Sequence, residues 1–229
     1  MDADERQTKF AIHAACRDGQ NPKLSVRRDD DERLPLHWAA SYNRLPIVAL
    51  LAEQKSFDVD AQDGSGWTAL MMASSLKEGD AMVDLLLAKS ADTNEKTHNG
   101  QTALHFAASK SNLDVAKKLI AHKASARVKD KRSQLPLHRA AAVGNVPMIK
   151  LLLENNSPVN ATDIDGSTAL HHAIAEGHAD AAVTLLKAGA ETHKKDVSGA
   201  FAIDLAPDAK IRSYVERAAE EEGINLRPA

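Results

Sequence analysis

The chain has 229 residues, of which 43% are hydrophobic and 27% charged, so it is long enough for a sizeable core and too mixed for a collagen or a disordered chain. Its net charge of −3 argues against a general nucleic-acid-binding protein, because such proteins need a strong basic excess. No apolar run approaches the roughly 20 residues of a membrane span, so we expect no membrane association.

The chain begins with the polar sequence MDADERQTKF, which lacks the apolar stretch of a secretory signal. Cys16 is the single cysteine, so we expect neither an intrachain disulfide nor a cysteine-rich zinc site. Both features favour a protein of the cytoplasm and nucleus.

A four-residue pattern recurs along the chain. The run LPLH at 34–37 returns as TALM at 68–71, TALH at 102–105, LPLH at 135–138, TALH at 168–171 and, weakly, FAID at 201–204. Small residues and a second apolar run follow each copy, and a shorter unit occupies 10–15. A fixed period of 33 or 34 residues predicts stacked repeats in a single domain spanning 1–229. The predicted repeats are 5–28, 29–62, 63–96, 97–129, 130–162, 163–195 and 196–223, with degenerate first and last units as caps.

This pattern resembles the ankyrin repeat over residues 5 to 223. The resemblance implies an all-α repeat solenoid of seven ankyrin repeats. Each repeat would be a helix–loop–helix unit with a β-hairpin-like tip, and the curved array would bind partners on its concave face. A single unit cannot bury its apolar face, whereas stacked units form a continuous core.

Local sequence signals agree with paired helices. Thr102 and Thr168 are suited to helix N-caps, and Pro35 and Pro136 to a first helical turn. A left-handed residue is expected between the two helices of each repeat, at Asn43, Gly79, Asn112, Gly144 and Gly177. The residues that follow the fourth motif position in three repeats, Trp38, Met72 and Phe106, are expected in the core.

The histidines do not indicate a catalytic or metal site. Four of them, His37, His105, His138 and His171, occupy the same repeat position, so they lie one repeat apart and cannot converge on one ion. His13 and Cys16 lie one helical turn apart but have no identifiable third catalytic group. No dinucleotide, phosphate-loop or HExxH motif is present. We therefore expect a non-enzyme without cofactor or metal.

Charge is segregated along the chain. Residues 29–63 carry eight acidic and three basic residues, whereas residues 105–150 carry ten basic and two acidic residues. Separated fields on a curved array can orient a partner and accelerate its association. The predicted partner-binding residues are Asp30, Asp31, Glu32, Arg33, Tyr42, Asp63, Trp67, Lys110 and Arg139.

Several stretches resemble the gankyrin family of proteasome regulatory subunits: RLPLHWA at 33–39, GW at 66–67, LHFAASK at 104–110 and HRAAAVGNVPMI at 138–149. The resemblance implies an assembly chaperone of the base of the proteasome regulatory particle. Its concave face would bind the C-terminal helical domain of one AAA ATPase subunit. Arg33 and Lys110 match the family's basic residues in the second and fourth repeats, which pair with acidic residues of the ATPase.

One family feature is missing. Mammalian members carry an LxCxE motif associated with retinoblastoma-protein binding, but the matching stretch here, 172–176, reads HAIAE. The sequence therefore gives no support for that interaction.

Other functions remain open at this stage. The alternatives are a generic ankyrin adaptor or kinase inhibitor with another client, and a small enzyme or metal-binding protein that uses the histidines. Asn94 and Asn160 lie where ankyrin hydroxylases act. A monomer is the default expectation, because capped ends leave no apolar face for a second copy.

Overall fold

The structure is a computed structural model that describes residues 27–226. Cys16, His13 and most of the predicted first repeat lie outside the described residues. Within 27–226 there are eleven α-helices and a single 3₁₀ turn at Ala202–Leu205. The helices are α1 (Pro35–Ser41), α2 (Leu45–Leu51), α3 (Ala69–Ser74), α4 (Asp80–Ala88), α5 (Ala103–Ser109), α6 (Leu113–Ala121), α7 (Pro136–Ala142), α8 (Val146–Glu154), α9 (Ala169–Ala175), α10 (Ala179–Lys187) and α11 (Ala209–Glu221).

The helices form two layers. Helices α1, α3, α5, α7 and α9 pack against one another in chain order, and we call them the inner helices. Helices α2, α4, α6, α8 and α10 pack in the same order behind them as the outer helices, and α11 packs on α10. The inner helices contact each other more extensively than the outer ones do, so the array curves toward the inner side. This arrangement confirms the all-α repeat solenoid.

Buried alanine pairs explain the close packing of the inner helices. Pairs such as Ala39 with Ala40, and Ala107 with Ala108, are at most 3% exposed, and they lie between the inner helices of neighbouring repeats. Larger side chains such as Leu86 and Leu119 fill the space between the layers. One core therefore runs through the described repeats, as the sequence predicts.

Hairpin tips stand at the start of each repeat, before the inner helix. Each tip donates a backbone N–H to a carbonyl of the preceding tip, and the tips form a continuous line that we call the tip row. The five bonds are Gly64 N to Asp31 O (2.9 Å), His98 N to Ser65 O (2.9 Å), Lys131 N to Asn99 O (2.8 Å), Ile164 N to Arg132 O (3.0 Å) and Val197 N to Asp165 O (2.9 Å).

The prediction of left-handed residues between the helices is confirmed for Asn43, Gly144 and Gly177, which all have positive φ. It is wrong for Asn112, where Ser111 takes the left-handed conformation and Asn112 becomes the N-cap of α6. It is also wrong for Gly79, whose φ is −87°. Gly79 is needed for space instead, because a Cβ there would collide with the carbonyl oxygen of Ala73.

Four inner helices carry a motif histidine that ties the helix start to backbone at or just before the next hairpin, whereas α3 has Met71 at this position. The N–H of the N-cap residue donates to the histidine Nδ1, as from Leu34 to His37 (2.9 Å) and from Thr102 to His105 (3.1 Å). The Nε2 atom lies 2.9 Å from the Ala61 carbonyl in His37 and 3.1 Å from the Gln134 carbonyl in His105. Because Nδ1 accepts a hydrogen bond and Nε2 faces a carbonyl, the proton is on Nε2 and the ring is neutral.

Burial keeps these rings neutral. Desolvation lowers the pKa of His105 and His138 to about 4, against the partial opposition of backbone carbonyls and nearby carboxylates. The pKa of His37 and His171 is also lowered, again mainly by burial. A protonated ring would need to donate from Nδ1 toward a backbone N–H, so protonation breaks the helix cap.

Stability should therefore fall in acid. The folded pKa of these histidines lies below the unfolded value of about 6.5, so their contribution is complete above pH 6.5 and is lost as pH falls toward 4. For His105 and His138 together, we expect the free energy of unfolding to drop by about 3 kcal/mol between pH 7.5 and 5.5. Urea denaturation at the two pH values measures this change.

The matched variants are His105→Met and His193→Gln. Met71 already occupies the equivalent position in another repeat, so His105→Met is compatible with the fold. It should remove about half of the 3 kcal/mol pH effect. His193 is 66% exposed at its side chain, so His193→Gln should leave the effect unchanged. An equal pH effect in both variants would contradict the assignment.

Candidate functional site

The exposed side of the inner helices, together with the hairpin residues next to them, forms the face toward which the array curves, and we call it the concave face. At least partly exposed side chains on it include aromatic, cationic and acidic groups from the second to the sixth predicted repeats. The members from the inner helices, their C-caps and the hairpins are Trp38, Tyr42, Trp67, Phe106, Lys110, Arg139, Val143, His172 and Glu176.

Asp63 lies inside a hairpin. Its carboxylate accepts backbone N–H groups of Ser65 and Trp67, each at 2.9 Å, and Nε of Arg33 at 3.2 Å. The residue is only 5% exposed. This placement contradicts the expectation that Asp63 faces a partner, because every direction around the carboxylate is already occupied by this chain.

The pKa of Asp63 reflects these bonds. Burial alone would raise the pKa, but the N–H groups of Trp67 and Ser65 and the Arg33 guanidinium outweigh it and hold the pKa below its usual value. The carboxylate is therefore ionised at neutral pH, and it fixes the direction of the Arg33 side chain.

Arg33 begins an aromatic group on the second repeat. Its guanidinium carbon lies 5.4 Å from the centre of the Trp38 ring, which stacks on Tyr42 with ring centres 6.0 Å apart. Nε1 of Trp38 donates to Asp29 at 2.7 Å. Trp38 is partly exposed, so its expected place in the core is wrong, whereas Tyr42 is 55% exposed as a binding residue should be.

Trp67 and Phe106 form a second aromatic pair between the third and fourth repeats. Their ring centres are 4.1 Å apart at an angle of 27°. Phe106 is partly exposed but packs against the core, so the expectation of a core residue holds for it in part, and it holds fully for Met72. One face of Trp67 is covered by Phe106, and the residue also packs against the core while it stays partly exposed.

Lys110 is the exposed C-cap residue of α5. Within residues 27–226 its ammonium group makes no ion pair, in contrast to Arg33, which is bound to Asp63. The acidic residues Asp30, Asp31 and Glu32 are also exposed, on the tip before Arg33. Asp31 and Glu32 make long ion pairs within this chain, with Arg33 at 3.9 Å and Arg28 at 3.8 Å, whereas Lys110 makes none among the described residues.

Arg139 belongs to a repeated contact that the sequence analysis missed. It donates to Asp130, nine residues earlier, at 3.0 Å, and 31% of its side chain is exposed. His172 contacts Asp163, also nine residues earlier, at 2.9 Å. Asp29 and Trp38 have the same spacing. The sequence signal for these contacts is an aspartate nine residues before the residue that follows the four-residue motif.

The arrangement offers binding groups rather than reactive ones. Across the described part of the chain no cluster of three histidine, cysteine or carboxylate side chains could hold a metal ion. No helix between residues 27 and 226 has the length and apolar character needed to traverse a bilayer. The motif histidines are buried, and each accepts a backbone N–H at Nδ1, so they do not reach the concave surface.

Comparison with known proteins establishes the class. The sequence profile described as ankyrin repeats in three copies matches residues 16–97, 55–130, 75–163 and 116–196. The chain therefore belongs to the ankyrin repeat family. Proteins of this family are generally non-catalytic scaffolds for protein interactions.

Three individual relatives show how far the similarity extends. The chain is 37% identical to the probable 26S proteasome regulatory subunit p28 of Saccharomyces cerevisiae over 126 residues, which is 49% of this chain and 55% of that protein. It is 38% identical to the ankyrin repeat-containing protein C6C3.08 of Schizosaccharomyces pombe over 93 residues, or 40% of each chain. Human neurogenic locus notch homolog protein 1 is 32% identical over 125 residues, but only 5% of it is covered. The matches thus span about half, or less, of these relatives.

The hairpin role of Asp63 can be tested by Asp63→Ala. The change leaves two backbone N–H groups and a partly buried guanidinium without their acceptor, so we expect a loss of about 3 kcal/mol in the free energy of unfolding. Asp165→Ala removes an exposed tip acid that pairs with Arg132 at 3.2 Å, and it should cost less than about 1 kcal/mol. Equal losses in urea denaturation would contradict the assignment.

Proposed function

We propose that this protein is an assembly chaperone of the base of the proteasome regulatory particle. Its concave face would bind the C-terminal helical domain of one AAA ATPase subunit and release it as the complex matures. The observation that carries the proposal is the 37% identity with a probable proteasome regulatory subunit over 126 residues.

The exposed charges of the concave face support a charged client. Lys110 is exposed and makes no ion pair within the described residues. The acidic tip of Asp30, Asp31 and Glu32 is exposed and lies on one side of the aromatic group. A client with carboxylates opposite Lys110 and cations opposite the tip would match both. Such complementarity raises the rate of association and fixes the orientation of the complex.

The aromatic groups support a tight contact between these charges. Tyr42, Trp67 and part of Arg33 lie between the acidic tip and Lys110 along the array, and tyrosine, tryptophan and arginine are the residues that most often dominate interface energy. A helix of the client could lie across them. In this proposal the protein acts as a monomer, in the cytoplasm and nucleus.

Arg33 and Lys110 do not make equally clear test sites. Arg33→Glu would place a second carboxylate beside the buried Asp63, so a loss of binding could reflect a damaged hairpin. Lys110→Glu changes an exposed residue without an ion pair in the described structure, so it tests binding alone. Lys110→Glu is therefore the primary variant.

Calorimetric titration with the C-terminal domains of the six proteasomal ATPases provides the test. We expect one-to-one binding to one domain, and Lys110→Glu should weaken it by at least about 30-fold, since disruption of a desolvated charge pair costs roughly 2–5 kcal/mol. The binding should also weaken as salt rises.

The matched control is Lys150→Glu, which makes the same charge change on the outer helix α8, where Lys150 is exposed. It should alter affinity by less than about threefold, because a remote charge acts only through the screened field. Absence of binding to all six domains would overturn the proposed function. Equal weakening of binding by the two variants would show that the client does not bind the concave face.

A further inference from the structure

Each hairpin has an aspartate at the same position, replaced by Thr97 in one repeat, and the residue after it varies along the tip row. It is Asp30, Gly64, His98, Lys131, Ile164 and Val197 in the successive described repeats. The first four are polar, charged or glycine, as is usual for a turn. The last two are large apolar side chains, and they are 56% and 77% exposed.

Ile164 and Val197 belong to neighbouring tips. The N–H of Val197 donates to the carbonyl of Asp165 at 2.9 Å, which places the two hairpins side by side. A single exposed apolar residue is ordinary on a protein surface. Two at the same register position of adjacent repeats place apolar side chains along one edge, and of the six large hydrophobic side chains exposed in residues 27–226 they are the two most exposed.

The charges around this edge are unbalanced. The nearby acids are already used: Asp165 pairs with Arg132 at 3.2 Å, and Asp196 accepts from the Ser198 hydroxyl and from backbone N–H groups. Lys131 is exposed and has no ion pair among the described residues. The ammonium group of Lys195 lies 4.8 Å from the centre of the Phe201 ring and also has no carboxylate partner there.

We propose that Ile164 and Val197, flanked by Lys131 and Lys195, form a second docking site for a protein segment that carries apolar and acidic side chains. Apolar residues of the segment would cover Ile164 and Val197, and its carboxylates would pair with the two lysines. We call this the tip-edge site. We assign this segment to the same client that would bind the concave face. Only this assignment rests on the proposed function.

The repeat spacing sets the form of the segment. Neighbouring repeats stand about 10 Å apart, as packed elements do. An extended segment in the polyproline II conformation has three residues per turn and rises about 3.1 Å per residue, so apolar side chains three residues apart lie on one face and would reach both tips. Glutamates between and around them would face the lysines. The site therefore favours a short extended segment with acidic residues around two spaced apolar ones.

Methyl NMR of the full chain tests the site without an ATPase. The probe is an eight-residue peptide with two leucines three residues apart and glutamate at every other position. At millimolar peptide we expect the methyl signals of Ile164 and Val197 to shift, and those of Leu50, an exposed apolar residue of α2, to stay in place. The same peptide with lysine for glutamate should produce shifts at least fivefold smaller.

The variants supply the second readout, from the backbone amide signals of Arg132 and Asp165. Ile164→Ser with Val197→Ser should abolish saturable shifts of these amides by the acidic peptide, and Leu50→Ser should retain them. Absence of shifts at Ile164 and Val197 in the unchanged protein overturns the tip-edge site, as does equal binding of the acidic and basic peptides.

Titration with the ATPase domains then separates the two proposals. If a bound domain also shifts the Ile164 and Val197 methyl signals, both sites serve one client. If a domain binds and leaves these signals unchanged, the assignment of the segment to that client is wrong. If no domain binds while the peptide does, the proposed function fails and the tip-edge site stands.

Discussion

The fold depends on one repeated interaction, the neutral histidine that joins a helix start to the next repeat. In His105, Nδ1 accepts the N–H of Thr102, and Nε2 donates to the carbonyl of Gln134. One side chain thus satisfies a free helix N–H and a hairpin carbonyl that would otherwise be buried without partners. Because Nδ1 can accept only in the neutral ring, the helix cap is tied to the deprotonated state of these rings.

The hairpin acids extend this principle to the surface. Asp63, Asp130 and Asp163 are buried carboxylates that hold their own turns and also bind a side chain of the concave face, Arg33, Arg139 and His172 respectively. The side chains a partner meets are therefore held in place before binding. Fixed side chains lose less conformational entropy when a complex forms, which favours affinity.

The chemistry of the exposed surface changes along the array rather than being uniform. The acidic tip and the aromatic groups lie in the second to fourth repeats, free Lys110 in the fourth, and the apolar tips in the sixth and seventh. A stacked scaffold permits this gradient, because each repeat's core and its surface are set by different residues. Function in such a protein resides in those surface choices, and not in the repeat itself.

The sequence alone determined the repeat architecture, because the period of 33 or 34 residues and the buried alanines leave one way to bury every apolar face. It also placed Tyr42, Lys110 and the acids at 30–32 on the surface, since these follow from repeat position. The tertiary structure decided the roles of Asp63, Trp38 and Phe106. Burial of a carboxylate or exposure of an aromatic ring depends on contacts with the next repeat, such as the Arg33 bond to Asp63 across 30 residues and the Trp67–Phe106 stack. The spacing of residues along the chain does not show which side chains of neighbouring repeats touch, and only the folded structure fixes those contacts.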